Sequence, residues 1–148
     1  MATETTNLHL VKPGYDDLAD VAVINDNMDI IDTAMNDATK TTSAQWTMDA
    51  TNVTSTDTRN IKKQGKVVFL STVNIKLAAN LGVYGYVTVG TIPTGYRPTA
   101  NVYGAGSVSN GNVTCYALTD GTLCVRNVGS NAIAAGTNIS ISLTYLTS

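Results

Sequence analysis

The sequence predicts a mainly β protein: an antiparallel β-sandwich or jelly-roll-like head, preceded by a short N-terminal α-helix that forms a trimeric coiled-coil stalk. Two observations carry this. Between Val21 and Ala38 the stretch VAVINDNMDIIDTAMNDA places Val21, Ile24, Met28, Ile31, Met35 and Ala38 at steps of three and four, the a/d seam of a parallel coiled coil. From Lys66 onward, six runs rich in Val, Ile, Thr and Tyr are separated by Gly, Pro, Asn and Asp at spacings of about 8–12 residues, the pattern of an all-β sandwich or barrel. The predicted division is 1–17 as an attachment arm, 18–40 as the coiled-coil helix, 41–65 as a linker or shoulder and 66–148 as the β head.

In the arm, Leu8 and Leu10 alternate with Asn7 and His9, and Lys12-Pro13-Gly14 ends the run in a turn. Asp20 is the expected N-cap of the helix, because its carboxylate can accept the orphan amides of the first turn. Val21, Met28 and Met35 occupy a, and Ile24, Ile31 and Ala38 occupy d. β-Branched Ile at d shifts the preference from two strands towards three or four. The same spacing also suits an amphipathic helix packing on its own domain. Val23 and Ile30 form a second apolar stripe, and a helix this short is marginal alone, so further contacts between heads are expected to hold the trimer.

Residues 39–60 are rich in Thr, Ser, Asn and Asp, a composition that favours extended or irregular chain over helix, with Trp46 as packing anchor. KVVFLSTVNIKL and VYGYVTVGTI read as strands, the second stopped by Pro93, Gly95 and Pro98. NVYGAGSVS and NVTCYAL are joined at Asn110-Gly111, and TLCVRNV follows Asp120-Gly121, both strong hairpin dipeptides. A two-residue turn at Asp120-Gly121 pairs Ala117 with Cys124 and Cys115 with Arg126. It sets the two thiols diagonally on one face, too far apart for a comfortable disulfide, so two buried free thiols are expected. The last run, NISISLTYL, turns Ile139, Ile141, Leu143 and Tyr145 to one side and Ser140, Ser142 and Thr144 to the other.

Charge divides the chain at the same place. Residues 1–40 carry a balance of minus six and residues 41–148 one of plus four, the head's seven cations being Arg59, Lys62, Lys63, Lys66, Lys76, Arg97 and Arg126. The asymmetry predicts different partners for the two halves. A basic head suits an anionic polymer, and dispersed cations equally make an ordinary solvated surface. No run approaches the roughly 20 apolar residues of a membrane span, so membrane insertion is not expected. The first residues lack a basic segment followed by an apolar one, which predicts synthesis in a cytoplasm rather than ordinary secretion.

The residue inventory argues against catalysis. Past residue 40 there is neither His nor Glu, and Asp49, Asp57 and Asp120 lie far apart in sequence. Glycoside hydrolysis needs two carboxylates about one bond, so a depolymerase would need a pair assembled by folding or across subunits. The single His, His9, lies in the arm and leaves a Ser or Cys nucleophile without a base. Asp26, Asp29 and Asp32 recur along the helix without the D-x-D-x-D-G calcium loop, and Cys and His are too few for zinc. Gly104-Ala105-Gly106 opens a strand rather than a helix and is no nucleotide loop. No metal, cofactor or nucleic acid is expected. What the head does hold is tyrosine: Tyr84, Tyr86, Tyr96, Tyr103, Tyr116 and Tyr145, each with a flat apolar face and a polar tip. Tyr96 and Arg97, in the turn-rich segment 93–98, set an aromatic face beside a fixed cation, and Tyr84 and Tyr86 alternate to one face just before it. These four are the candidate ligand-binding residues. The competing role for Tyr96 and Arg97 is packing, with Arg97 bonding loop carbonyls.

Two stretches resemble a known family. NLHLVKPGYDDLADVAVINDNMDIIDTAM resembles the N-terminal segment of phage and prophage tail-fibre and baseplate proteins, an arm built on Asn7, Leu8, Leu10, Lys12 and Pro13. The helix after it carries Ile24, Asn25, Asp26, Asn27, Asp29, Ile31, Asp32 and Ala34. The head, with Ile92-Pro93-Thr94-Gly95-Tyr96-Arg97-Pro98, two hairpin dipeptides and an aliphatic-aromatic last strand, is similar to the C-terminal heads of trimeric receptor-binding proteins from phages of Gram-positive hosts. The resemblance implies a homotrimer at a virion's tail tip, docked to other tail or baseplate proteins by its N-terminal region and binding host-surface saccharide with its heads. A purely structural tail component would share the arm, helix and trimer.

Overall fold

A computed structural model of the chain describes residues 3–14 and 20–148. The expected end of the arm and the expected helix start at residue 18 lie outside the described residues. The chain separates into two compact units, residues 1–40 and 41–148.

In the first unit, β1 (Thr3–Glu4) and β2 (Val11–Lys12) pair antiparallel. Their turn is tied by Thr5, whose hydroxyl accepts from the Leu10 amide at 2.9 Å, and by His9, which takes a left-handed φ of 54°. The helix α1 (Val21–Thr39) starts where the sequence places it: Asp20 is extended, and its carboxylate accepts from the Ala22 amide at 2.8 Å. Asn27 grips the arm from the helix. Its side-chain oxygen accepts from the Val11 amide and its side-chain nitrogen donates to the Val11 carbonyl, both at 2.9 Å, as a neighbouring strand would. No residue of α1 is buried, and Val21, Ile24, Met28 and Met35, expected in the seam, are 50–68% exposed.

The second unit is one antiparallel sheet. Its strands are β3 (Thr41–Gln45), β4 (Thr47–Met48), β5 (Val53–Thr54), β6 (Asn60–Gln64), β7 (Val67–Leu77), β8 (Tyr86–Thr91), β9 (Val102–Val108), β10 (Gly111–Ala117), β11 (Thr122–Asn127) and β12 (Asn138–Leu146). They are ordered β3-β6-β7-β12-β9-β10-β11-β8-β4, with β5 paired to β7. The six strands expected after Lys66 are all present. The expected two-layer sandwich is replaced by a continuous hydrogen-bonded sheet that nearly closes into a barrel. The two ends of its strand order, β3 and β4, are consecutive in the chain and separated by Trp46 alone. Alternation reports that one face of each strand is buried, which holds equally for two facing sheets and for one curled sheet.

Residues 41–65, expected as a linker or shoulder, belong to this sheet and contribute β3 to β6. They lie at and beside its margins, where most side chains meet water, so a Thr-rich strand looks like a loop. Their inward residues Trp46, Val53 and Ile61 are fully buried with Leu70, Ile75, Leu123, Val125, Ile139 and Leu143. Trp46 packs over Gly90, where an added Cβ would collide with the Thr47 carbonyl and the indole ring. A bulge opposite the Leu123–Cys124 step turns both Val89 and Gly90 inward at that point. In β12, Ile139, Ile141, Leu143 and Tyr145 are buried, as the alternation predicts.

The hairpin at Asp120 differs by one residue from the expected register. Leu118 and Thr122 close a three-residue loop of Thr119, Asp120 and Gly121. The Gly121 amide bonds the Leu118 carbonyl at 2.9 Å, and Gly121 has a φ of 94°. This is a type I turn followed by a left-handed glycine. Tyr116 therefore faces Cys124 and Cys115 faces Val125. The two thiols are free and buried, as expected, but they lie on opposite faces of the sheet rather than diagonally on one. The other hairpin turns through Ser109 and Asn110, with Gly111 already in β10 opposite Val108.

Candidate ligand site

The corrected register gathers one side of β8, β11, β10 and β9 into an aromatic surface. Arg126 faces Tyr86 and Thr114, Cys124 faces Thr88 and Tyr116, and Tyr116 faces Tyr103. Between them is an open groove of about 570 Å³ lined by Tyr84, Tyr86, Tyr116, Leu118, Cys124 and Arg126. The Tyr103 and Tyr116 rings meet edge to face with centroids 4.8 Å apart, extending the surface onto β9. Tyr84, Tyr86 and Tyr103 are 65–75% exposed.

Tyr84 is presented by a strained turn. It adopts a φ of 58°, rarely taken by an aromatic residue, in a turn closed by the Gly85 amide on the Gly82 carbonyl at 3.0 Å. What holds the strain is Asn127, fully buried at the end of β11. Its side-chain nitrogen donates to the carbonyls of Leu81, Gly82 and Asn131 at 3.3, 3.1 and 2.8 Å, and its amide bonds the Gly85 carbonyl at 2.9 Å. Next to it, Arg126 Nε donates to the Tyr84 carbonyl at 3.3 Å, and the guanidinium carbon sits 6.0 Å from the Tyr84 ring centre. On the groove floor the Cys124 thiol lies 3.7 Å from the Thr88 hydroxyl, and burial raises its pKa above the ordinary thiol value.

Of the four expected ligand residues, Tyr84 and Tyr86 come together here. Tyr96 and Arg97 lie at the other end of the β8–β11 ladder, where Thr91 faces Thr122, some four residues and roughly 13 Å away along the strand. There residues 93–96 form a turn with Gly95 at a φ of 87°. The Tyr96 carbonyl accepts from the Tyr145 hydroxyl at 2.7 Å, and Arg97 Nε donates to the Ile92 carbonyl at 3.2 Å. Arg97 crosses Gly121 so closely that a Cβ there would lie 2.6 Å from Nε. Arg126 and Cys124 escaped the sequence reading because a two-residue turn gives the wrong facing pairs. Asn127 carries no sequence signal beyond being a polar residue in an apolar run.

A second concavity, of about 610 Å³ between Ser107, Val108 and the segment 135–140, has neither charged nor aromatic lining. The Asp49, Asp57 and Asp120 carboxylates are each hydrogen-bonded at separate places, two of them within their own turns. Asp49 accepts from the Thr51 amide and the Asn52 side chain, Asp57 from the Asn74 side chain, and Asp120 from the Thr122 amide. Among the described residues no cluster of three or more His, Cys, Asp or Glu is placed to hold a metal.

The structure is similar to the crystal structure of the head domain of phage bIL170, one of the receptor binding domains of lactococcal phages. The TM-score is 0.60 at 20% identity, covering 74% of this chain and all of that domain. The two share a fold. No protein-family model matches the sequence, and no curated protein does. At this identity the likeness extends to architecture, which agrees with the mainly β, receptor-binding-head type of fold expected from the sequence.

Proposed function

We propose that this chain is a phage tail receptor-binding protein whose β head binds saccharide on the host cell surface. The observation that carries the reading is the match of its head to the whole of a lactococcal phage receptor-binding head, in a chain whose arm and helix resemble tail-protein N-termini. The reading places it at a virion's tail tip, attached to other tail or baseplate proteins through residues 1–40. The aromatic groove supplies what saccharide recognition needs: flat apolar faces for the CH side of a sugar ring, hydroxyl tips and a cation.

The working form in this reading is a parallel homotrimer. Its support is the a/d stripe of Val21, Ile24, Met28 and Met35, exposed in the single chain. On the head, Val67, Phe69 and Val73 of β7 and Leu146 of β12 are 47–61% exposed, an apolar face of the kind expected between heads. The protein acts by binding rather than by catalysis, a reading supported by the separate hydrogen-bond partners that Asp49, Asp57 and Asp120 each have.

Purified protein is expected to decorate intact host cells and compete with virus adsorption. Failure to decorate any cell the virus adsorbs to overturns the reading. Reducing ends released from cell-wall polysaccharide, and lost on Asp120→Asn, would make it a depolymerase instead.

A further inference from the structure

We infer that the groove between Tyr84, Tyr86, Tyr116 and Arg126 is the head's ligand site, and that it selects a sugar carrying a phosphate or carboxylate over the neutral sugar. The inference rests on the receptor-binding reading and goes further by naming the site and the ligand's charge.

Arg126 carries the charge argument. Its Nε is committed to the Tyr84 carbonyl, which fixes the plane of the guanidinium at the groove wall. Among the described residues the sole ion pair joins His9 to Glu4, so no carboxylate neutralises Arg126 within bonding distance. Asp120, on the same hairpin, lies at the far end of β11 and bonds the Thr122 amide. A guanidinium held in place against an aromatic ring, with no acid beside it, is a ready partner for an oxyanion.

The surroundings supply the rest of a sugar site. Tyr84, Tyr86 and Tyr116 give aromatic surface, and the volume of about 570 Å³ falls in the range of small-ligand sites. The walls are preorganised: Tyr86, Tyr116 and Arg126 stand on three hydrogen-bonded strands, and Tyr84 is fixed by the buried Asn127. The concavity beside Ser107 and Thr137 lacks both cation and ring.

The test titrates the full-length labelled protein with glucose 1-phosphate, galactose 1-phosphate, glucuronic acid, the two neutral hexoses and inorganic phosphate, following backbone amide resonances. Shifts are expected at Tyr86, Tyr116, Cys124 and Arg126. At least one acidic sugar should bind at least about fivefold tighter than its neutral parent and than inorganic phosphate. Arg126→Gln should abolish that preference in a protein whose amide spectrum stays that of the folded head, and Arg126→Lys should keep part of it. Equal response to acidic and neutral sugars, phosphate alone binding as well as the sugar phosphates, shifts confined to residues 93–97, or no shift with any probe overturns the proposal. Cell decoration separates the two readings. Arg126→Gln decorating cells as well as the parent protein overturns the site but leaves receptor binding standing, whereas a parent protein that decorates no cells overturns receptor binding itself.

Discussion

The indole nitrogen of Trp46 donates to the hydroxyl of Thr72 at 3.1 Å, with Trp46 fully buried and Thr72 3% exposed. This bond fixes the ring at the point where the two ends of the strand order meet. Thr72→Val keeps the shape and removes the acceptor, leaving a buried N–H unpaired. A loss of about 1–3 kcal/mol is expected from denaturant midpoints at unchanged m-value.

Gly90→Ala should cost at least as much, about 1–3 kcal/mol or more, because the new methyl meets the Thr47 backbone and the Trp46 ring together and neither can move away. Gly82→Ala is the control. Nothing lies within 4 Å of its added Cβ, and its effect should stay within about 0.5 kcal/mol. Thermal melts of both variants check the contrast.

Tyr145 makes stability fall at high pH. Burial raises its pKa well above the ordinary 10.0, so the folded protein keeps the phenol neutral where the unfolded chain ionises it. That contribution is whole below 10 and is lost as pH climbs through the raised value. The melting temperature should fall as pH rises above about 10, and less steeply in Tyr145→Phe. The variant should itself be less stable at neutral pH by about 1 kcal/mol, having lost the bond to the Tyr96 carbonyl.

Arg97→Ala should lower stability by about 1 kcal/mol through loss of the bond to the Ile92 carbonyl, and should leave cell decoration intact. Arg126→Gln, which also loses a bond to a carbonyl, should differ in abolishing decoration. Loss of decoration in a stably folded Arg97→Ala would return residues 93–98 to the ligand surface.

Ile24→Asp combined with Ile31→Asp places charge in the helix seam. Light scattering after size exclusion should report a trimer for the parent protein. The double variant should stay trimeric through its heads while losing helical signal. A monomeric parent at micromolar concentration overturns the trimer.

How much the sequence disclosed follows from the range of each signal. Asp20 as cap, the inward set of β12 and the six strands after Lys66 depend on neighbours a few residues apart, and they were legible. Closure was not, because it depends on Thr41–Gln45 and Thr47–Met48 serving opposite ends of the strand order through a one-residue corner. The candidate ligand surface was half legible. Tyr84 and Tyr86 were read from alternation, whereas Arg126 and Cys124 required knowing that Gly121 adds a third residue to the turn. A miscount of one there exchanges the two faces of the facing strand.

The corner at Trp46 also bears on how copies of this protein can be crowded. An open ten-stranded sheet would offer two long rows of unpaired amides and carbonyls to any neighbour. Here the ends of the strand order are segments of five and two residues, adjoining each other at one bend. Edges this short give a foreign strand little ladder to pair with, which lowers the hazard of fibrous, edge-to-edge association between heads held at high local concentration.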